Sequence, residues 1–178
     1  MKPHWACALV LLSGCLPALP AFPSQGTAPH PPFDPIAFFE GRTEGLGTLV
    51  VRGRRPEGIR VQSVGTPSHD GFLLRQRIQR GDAPPFTRTW TLVPDGPERW
   101  TGSLTEAVGP VRAVATGDRL RITYRTGRVT TVEQVLRLEP GRESALNLLT
   151  VRVLGIPIAR LVEQIRRSPR STGGSSRR

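Results

Sequence analysis

The stretch FTRTWTLVPDGPERWTGSLTE, residues 86–106, decides the fold that the sequence predicts. Alternate residues of 86–93 fall on opposite faces of an extended chain, because successive strand side chains point to opposite sides. The turn residues 94–97, Pro-Asp-Gly-Pro, then interrupt the run, and Asp-Gly supplies the positive φ that a tight hairpin needs. The stretch therefore predicts a β-hairpin that holds Trp90 and Trp100 near one turn.

The remainder of the chain continues this pattern. From residue 42 onward, short apolar and β-branched runs are separated by turn residues at intervals of about eight to twelve, which predicts an all-β antiparallel barrel or sandwich. The segment 157–165 also fits a helical period, so a strand and a short terminal helix both remain open there. The ten predicted strands are 43–52, 58–65, 72–80, 86–93, 98–105, 111–116, 119–126, 129–138, 144–154 and 157–165.

The chain is strongly basic, with 25 basic and 14 acidic residues and a net charge of +11. The basic residues are spread through all the predicted strands, whereas a nucleic-acid-binding surface concentrates them in one stripe. Every basic residue except Lys2 is arginine, a bias that a GC-rich genome imposes on codons. We therefore predict no nucleic-acid partner and favour composition over phosphate binding as the source of the charge.

Residues 1–15, MKPHWACALVLLSGC, have a basic start, an apolar run and then small residues, which is the pattern of a secretory leader. Their last four, Leu12-Ser13-Gly14-Cys15, resemble a bacterial lipobox, in which the cysteine is acylated and begins the mature chain. The resemblance implies an outer-membrane lipoprotein that faces the periplasm and is held by several acyl chains such as palmitate. The alternative is an ordinary leader cleaved near Ala21, which would give a soluble periplasmic or secreted protein.

Three further segments follow the leader. Residues 16–34 are rich in proline and show almost no hydrophobic period, which predicts an extended tether that does not pack. Residues 35–167 form the predicted barrel domain, whose first apolar residues, 36–39, could close one end of a barrel. Residues 168–178, SPRSTGGSSRR, predict a basic disordered tail that is either solvated or attracted to anionic phospholipid.

The sequence shows no catalytic constellation, and we predict that the protein is not an enzyme. Both cysteines precede residue 16, and after the leader the histidines are His30 in the tether and His69 in a turn. These residues supply neither a metal or cofactor site nor an evident Ser-His pair. Glu106 and Glu133 are the only carboxylates that the prediction sets well inside, or at the end of, apolar strands. Glu133 could point into a cavity, but an outward, solvated placement is the commoner outcome for a strand carboxylate. A cavity that held either glutamate beside an arginine would reopen an enzymatic reading.

Short aromatic and glycine motifs occur along the chain in the order Phe38-Phe39-Glu40-Gly41, Gly45, Gly47, Asp70-Gly71, Thr89-Trp90, Trp100-Thr101-Gly102, Gly109, Gly117, Tyr124-Arg125 and Leu146-Asn147. In this order they resemble the bacterial family known as domain of unknown function 3833. The resemblance covers about residues 35–167 and implies a lipoprotein-like member with a lipocalin-like barrel. Trp100 stands where another aromatic such as Tyr is usual. The resemblance carries over no catalytic residue.

A barrel of eight or more strands can enclose one small ligand. Arg88 shares a strand face with Trp90, and an inward Arg88 would need a carboxylate, water or ligand, for which Glu106 and Glu133 are the nearest candidates. The arginines could pair with the acidic head group of a lipid or other amphipathic molecule. The alternative is that the same side chains fill a closed core, in a tethered structural or interaction protein of the envelope. The candidate ligand-binding residues are Arg88, Trp90, Trp100, Tyr124, Arg125 and Glu133.

Overall fold

Buried and exposed side chains alternate through most of the segment 41–167, so each extended run buries one face and exposes the other. The computed structural model describes residues 16–22 and 31–168. Within these ranges the chain forms one short helix and ten strands: α1 (Pro35–Phe39), β1 (Gly41–Val51), β2 (Glu57–Ser68), β3 (Gly71–Arg80), β4 (Phe86–Pro94), β5 (Arg99–Leu104), β6 (Val111–Thr116), β7 (Arg119–Arg125), β8 (Thr130–Leu138), β9 (Ser144–Val153) and β10 (Ile156–Arg167).

The strands form one closed antiparallel barrel. Each strand pairs with the next in sequence, and β10 pairs with β1, so that no strand is left with an unpaired edge. The prediction of an all-β antiparallel barrel is confirmed. The hairpin of β4 and β5 is also present, with Trp90 opposite Leu104 and Pro94 opposite Trp100. Gly96 in its turn has φ 96°, the left-handed conformation that glycine adopts without strain.

The last element is a strand throughout, which decides between the two readings that the sequence left open. Ala159, Leu161, Glu163 and Ile165 are buried while the residues between them are not, a period of two. In the pairing with β1, Ile165 lies opposite Gly45 and Glu163 lies opposite Gly47. This strand closes the barrel and carries one carboxylate into its interior.

Helix α1 and the residue before its cap close one end of the barrel, as the apolar segment 36–39 predicts. Asp34 caps the helix, because its Oδ1 accepts hydrogen bonds from the backbone N–H groups of Ile36 and Ala37 at 2.8 and 3.2 Å. Phe33 and Phe38 are buried with ring centroids 5.3 Å apart. The backbone N–H of Phe33 donates to the carbonyl of Gly117 in the turn between β6 and β7. Phe33 and α1 therefore cover the end of the barrel where the turn between β6 and β7 lies.

The described part of the proline-rich segment differs from the predicted unpacked tether. Residues 16–22, LPALPAF, lie against the outer wall of the barrel, and their Leu16, Leu19 and Phe22 are half-buried. Arg160 of β10 donates to the carbonyl oxygens of Leu16 and Pro17. The sequence repeats every three residues, which is the period of a polyproline II helix, so its apolar side chains can share one face. We call residues 16–22 the strap.

Two further contacts hold parts of the proline-rich segment against the barrel, one at Phe22 and one at Pro31 and Pro32. The guanidinium of Arg119 lies 5.3 Å from the ring centroid of Phe22. Arg142 donates to the carbonyl oxygens of Pro31 and Pro32 at 2.9 and 3.1 Å. Proline-rich segments have no backbone hydrogen bonds of their own, so their free carbonyl groups are available to arginines on the barrel.

Several predictions from the sequence lie outside the described residues. They are the leader with its lipobox Cys15, the tether histidine His30, and the tail from residue 169 onward. Among the residues that the structure describes, no helix is long and apolar enough to span a bilayer.

Candidate binding site inside the barrel

Arg88 and Trp90 both face the barrel interior from β4, as their shared strand face predicts. The guanidinium carbon of Arg88 lies 5.2 Å from the Trp90 ring centroid. Both side chains donate to the same oxygen, Gln76 Oε1, from Arg88 Nε and Trp90 Nε1, each at 2.7 Å. Gln76 in turn donates from Nε2 to Ser63 Oγ at 3.0 Å. One amide on β3 thus fixes the orientation of both β4 side chains.

The charge of Arg88 is balanced by Glu106, which follows the end of β5. Arg88 Nη1 lies 3.1 Å from Glu106 Oε1, and the Arg88 side chain is only 17% exposed. An arginine that is largely buried needs such a partner, because an unpaired charge inside a protein is costly. Glu106 was one of the two carboxylates that the sequence offered for this role.

A second chain of polar side chains crosses the interior from β7 to β10. The Tyr124 ring meets the edge of Trp90, with centroids 5.5 Å apart and planes at 88°. Gln134 Nε2 donates to the Tyr124 hydroxyl at 3.3 Å. Asn147 Nδ2 lies 3.4 Å from Gln134 Oε1 and donates to Glu163 Oε2 at 2.9 Å. This chain and the Arg88 group together form what we call the interior polar network: Gln76, Arg88, Tyr124, Gln134, Asn147 and Glu163.

Burial raises the pKa of both acidic groups of the network, Glu163 and Tyr124. It raises the pKa of the Glu163 carboxyl, against the weaker stabilising effects of the Asn147 hydrogen bond and the positive charge of Arg88. Burial likewise raises the pKa of Tyr124, although the nearby Arg88 charge and the Gln134 hydrogen bond oppose it. Both groups therefore favour the protonated, neutral form more than they would in water.

The network borders a small cavity of about 40 Å³ at the end covered by α1. Asn147 is 3% exposed, and its Oδ1 atom has no hydrogen-bond partner among the described residues. Buried polar atoms are nearly always satisfied, so an unpaired acceptor beside a cavity marks a position for a donor group. The cavity wall is formed by Pro35, Phe39, Leu74, Gln76, Arg88, Trp90, Leu92, Ile122, Gln134, Leu136, Asn147, Glu163 and Ile165.

Of the predicted site residues, Arg88, Trp90 and Tyr124 come together in the interior, whereas Trp100 and Arg125 do not join them. Trp100 is half-buried against the core but does not border the cavity. Arg125 is exposed and donates to the carbonyl of Arg128 in the next turn.

Glu133 takes the outward one of the two placements that the sequence left open, which removes it from the candidate ligand-binding residues. Its carboxylate lies on the outer wall between two arginines, 3.0 Å from Arg121 and 3.1 Å from Arg152. It therefore does not share the interior with Arg88. The inward residues of β8 are instead Val132, Gln134 and Leu136, which the structure buries.

Sequence reasoning missed Gln76, Gln134, Asn147 and Glu163, and it wrongly named Glu106 and Glu133 as the only carboxylates within apolar strands. A usable signal was present, because each missed residue has apolar neighbours two positions away on both sides. Gln134 lies between Val132 and Leu136 in this way, and Glu163 lies between Leu161 and Ile165. A polar residue in phase with buried neighbours predicts an interior polar group.

The described residues contain no group of three or more His, Cys, Asp or Glu side chains arranged to hold a metal ion. None of the residues that border the cavity is a serine, cysteine, histidine or lysine. What the site offers is an ionisable carboxylate, an arginine, amides and aromatic faces. Such groups suit the recognition of a small polar moiety.

The closed barrel with a polar interior defines a lipocalin-like protein. A family model described as "Protein of unknown function (DUF3833)" matches residues 9–139, and the chain belongs to this family. The family and the lipocalin-like barrel that the sequence suggested are therefore confirmed. No curated protein matches the chain.

Three solved structures share the fold at low sequence identity. An S-type phycobiliprotein lyase, CPES, from Guillardia theta has a TM-score of 0.60 and 6% identity, covering 75% of this chain and 90% of its own. Rv2717c from M. tuberculosis has a TM-score of 0.58 and 15% identity, with 76% and 98% covered. A DUF3598-family protein of unknown function from Nostoc punctiforme has a TM-score of 0.57 and 13% identity, with 78% and 51% covered. Likeness at this level establishes a common fold.

Proposed function

We propose that this protein is a cell-envelope lipoprotein whose barrel binds a small amphipathic molecule by its polar end. The observation that carries the binding proposal is the buried Oδ1 atom of Asn147, which has no partner among the described residues and stands beside a cavity next to Glu163. A barrel that served only as a packed core would gain from apolar residues at these positions, because buried polar groups cost free energy unless they are fully paired.

The chemistry of the network restricts what the polar end is. Asn147 Oδ1 is a free acceptor for a hydrogen bond, and Glu163 presents a carboxyl group whose raised pKa favours its neutral form. Arg88 already donates to Gln76 and pairs with Glu106. A hydroxyl or amine therefore suits the acceptor side of the cavity, while an acidic group would have to compete with Glu106 for Arg88.

The cavity is too small to hold a whole amphipathic molecule, so the apolar part of the ligand must lie outside it. A volume of about 40 Å³ accommodates a single terminal group, since one water occupies about 30 Å³ in the liquid. Most of the wall is strand, but Pro35 and Phe39 belong to α1. A five-residue helix held at its ends is easier to displace than a closed ladder of strands. We propose that α1 moves aside to admit the apolar part of the ligand.

The envelope assignment is supported by the leader and by the four residues Leu12 to Cys15 at its end. Acylation of Cys15 would attach the barrel stably, because more than one acyl chain is needed for lasting membrane binding. Leu16 follows the cysteine, which favours the outer membrane with the barrel in the periplasm.

The binding proposal is tested on the full-length protein purified from membranes in a mild detergent. Native mass spectrometry and solvent extraction should reveal a bound molecule in the wild type and in Glu133→Gln, a matched change on the outer wall. Asn147→Leu and the isosteric Glu163→Gln should both reduce its occupancy about tenfold, the equivalent of one hydrogen bond. Circular dichroism confirms that each variant is folded. A wild type without any bound or exchangeable molecule would refute the proposal, and so would equal occupancy in folded Asn147→Leu.

The lipoprotein proposal has its own test. Labelled palmitate should be incorporated into the wild type in cells and not into Cys15→Ser, which should also leave the membrane fraction. A wild-type protein without label, with a mature N-terminus near Ala21, would instead establish a cleaved soluble form.

A second candidate is a fully packed, tethered interaction protein without a ligand, and the small size of the cavity favours it. In that case the native mass spectrum of the wild type shows the bare chain. Chemical cross-linking in cells then captures a partner protein that is retained in Cys15→Ser. We propose binding rather than catalysis in either case, because the described residues around the cavity include one carboxyl group, Glu163, and no serine, cysteine, histidine or lysine to act with it.

A further inference from the structure

The outer wall formed by β1, β2 and β3 carries a concentration of arginines that the binding proposal does not use. Cross-strand pairing places Arg42 opposite Val64 and Val64 opposite Arg75 in one row. In the next row Glu44 lies opposite Gln62, and Gln62 opposite Arg77. All these positions face outward. We call the following five exposed residues the cationic wall: Arg42, Arg60, Arg75, Arg77 and Arg166.

The cationic wall is poorly neutralised. Glu44 lies on the same face, and its carboxylate is 3.6 Å from Arg60 Nε. Arg42, Arg75, Arg77 and Arg166 make no ion pair with another residue of the described part. Since Glu44 is the one carboxylate of the described residues that is seen to pair with any of these five guanidinium groups, this face attracts anions.

The opposite wall, on β7 to β9, is built differently. Arg121 and Arg152 both pair with Glu133 there, and Arg137 pairs with Asp118 at 2.5 Å. Arg125 on β7 is exposed and has no carboxylate partner among the described residues, so the pairing on this wall is partial. The larger unpaired charge on β1 to β3 argues that it has a partner outside the chain.

Two exposed aliphatic side chains interrupt the arginines. Leu46 is 51% exposed and Val64 is 48% exposed, both on the outward face of the wall. A surface that mixes guanidinium groups with aliphatic side chains suits a bilayer, in which phosphates lie next to acyl chains. Nucleic acid offers phosphates without an apolar layer behind them.

The C-terminal end of the described part lies at the cationic wall. The backbone N–H of Ser168 donates to the carbonyl of Arg42 at 2.9 Å, so the chain leaves the barrel at the cationic wall. The ten residues that follow contain three arginines and no acidic side chain. At its other end, the strap is held by Arg160 of β10, which pairs with Val50 of the neighbouring β1. The residue after the predicted lipidation site therefore lies on the strand next to the wall.

We propose that the cationic wall is a docking surface for a bilayer that contains anionic phospholipid. The guanidinium groups of Arg42, Arg75 and Arg77 bind lipid phosphates, and Leu46 and Val64 reach the apolar layer beneath them. A bilayer partner agrees with the lipoprotein proposal. Binding of the cationic wall to the bilayer, however, requires neither acylation of the chain nor a ligand inside the barrel.

The test uses the full-length chain with Cys15→Ser, so that binding does not come from acyl chains. Co-sedimentation is measured with vesicles of phosphatidylcholine alone and with vesicles that contain 30% phosphatidylglycerol, at roughly physiological salt. The wall variant is Arg42→Gln/Arg75→Gln/Arg77→Gln. The matched control is Arg99→Gln/Arg112→Gln/Arg128→Gln, which removes the same charge from exposed arginines elsewhere on the barrel. Leader and tail are identical in all of these proteins.

We expect the parent chain, which carries only Cys15→Ser, to prefer the anionic vesicles. Each arginine should contribute about fivefold to the partition coefficient, so the wall variant should bind these vesicles about 100-fold more weakly. The control should lose less than about tenfold by net charge alone. Equal losses in both triple variants, or no loss in a wall variant whose thermal unfolding is unchanged, would overturn the proposal. Binding of a 20-base-pair DNA duplex is measured in parallel. If the wall variant lost DNA binding and kept its affinity for vesicles, the surface would be a nucleic-acid site and the proposal would be wrong.

Discussion

The carboxylate of Glu163 occupies the space that a side chain at Gly45 would need. A Cβ atom on Gly45 would lie 1.9 Å from Glu163 Oε1, far inside van der Waals contact. Glycine at this position lets β1 approach the buried carboxylate of β10 closely. The arrangement explains why the barrel tolerates an ionisable group in its interior, because the adjacent strand leaves room for it.

Gly45→Ala should destabilise the barrel by about 1–3 kcal/mol through overpacking. In a Glu163→Ala background the same change should cost less, since the clashing carboxylate is gone, and urea unfolding of the four proteins measures this coupling. Gly47→Ala is the control, because its Cβ would meet the backbone oxygen of Val162 at 2.3 Å. Its cost should be similar in both backgrounds. Equal costs of Gly45→Ala in the two backgrounds would contradict the contact.

Glu163→Gln should make the protein more stable at neutral pH. Burial raises the pKa of Glu163 in the folded state above its ordinary value of 4.5, so the folded protein holds this proton more tightly than the unfolded chain does. The stability contributed by this group is complete below about pH 4.5 and is lost as the pH rises through the folded pKa. The variant should unfold roughly 2–6 °C higher than wild type near pH 7.5, with the difference shrinking towards pH 4.

Glu133→Gln is the control for this pH dependence, because its carboxylate lies on the outer wall beside two arginines. It should be neutral or slightly destabilising near pH 7.5. A Glu163→Gln variant that was less stable than wild type near neutral pH would show that the charged carboxylate is favourable in the folded barrel.

Tyr124 should titrate at a higher pH than an ordinary tyrosine. It is the single tyrosine of the chain, so the phenolate absorbance near 295 nm reports on it alone. Burial raises its pKa above 10.0, while the charge of Arg88 partly opposes the shift. Removal of that charge in Arg88→Gln should move the folded-state titration still higher, and the urea-unfolded chain should titrate near 10. A midpoint that coincided in folded and unfolded protein would mean that Tyr124 is exposed.

Arg88→Leu should cost about 2–4 kcal/mol, because it removes the partner of Glu106 and a donor to Gln76 in a largely buried position. Glu106→Gln should cost less than about 1 kcal/mol, since that side chain is more exposed and the glutamine still accepts a hydrogen bond. Arg152→Leu on the outer wall is the matched control and should also cost less than about 1 kcal/mol. Equal losses in Arg88→Leu and Arg152→Leu would assign Arg88 to the surface.

The fold could be predicted because its signals are local. The alternation and turn residues of β4 and β5 lie within about twenty residues, and antiparallel neighbours in sequence are neighbours in the barrel. The inward placement of Arg88 and Trp90 follows from the same period of two.

The interior network could not be predicted in this way, because its contacts cross the barrel. The segment around Glu163 fits a strand and a helix equally, and only pairing of β10 with both β9 and β1 fixes its inward face. The face of Glu133 was left open between a cavity and the solvated outside for a related reason. Its outward neighbours Thr131 and Val135 look as buried as the inward residues when the strand is considered alone.

The strap shortens the distance that can separate the barrel from its proposed membrane anchor. A free flexible linker of about twenty residues would have a root-mean-square span of roughly 25 Å and would let the domain sample a wide volume of the periplasm. With Leu16 and Pro17 already held by Arg160, the residue that directly follows the proposed anchor is fixed to the barrel. The barrel would then work at the bilayer surface itself, and any molecule that it binds would be exchanged with that membrane rather than carried across the compartment.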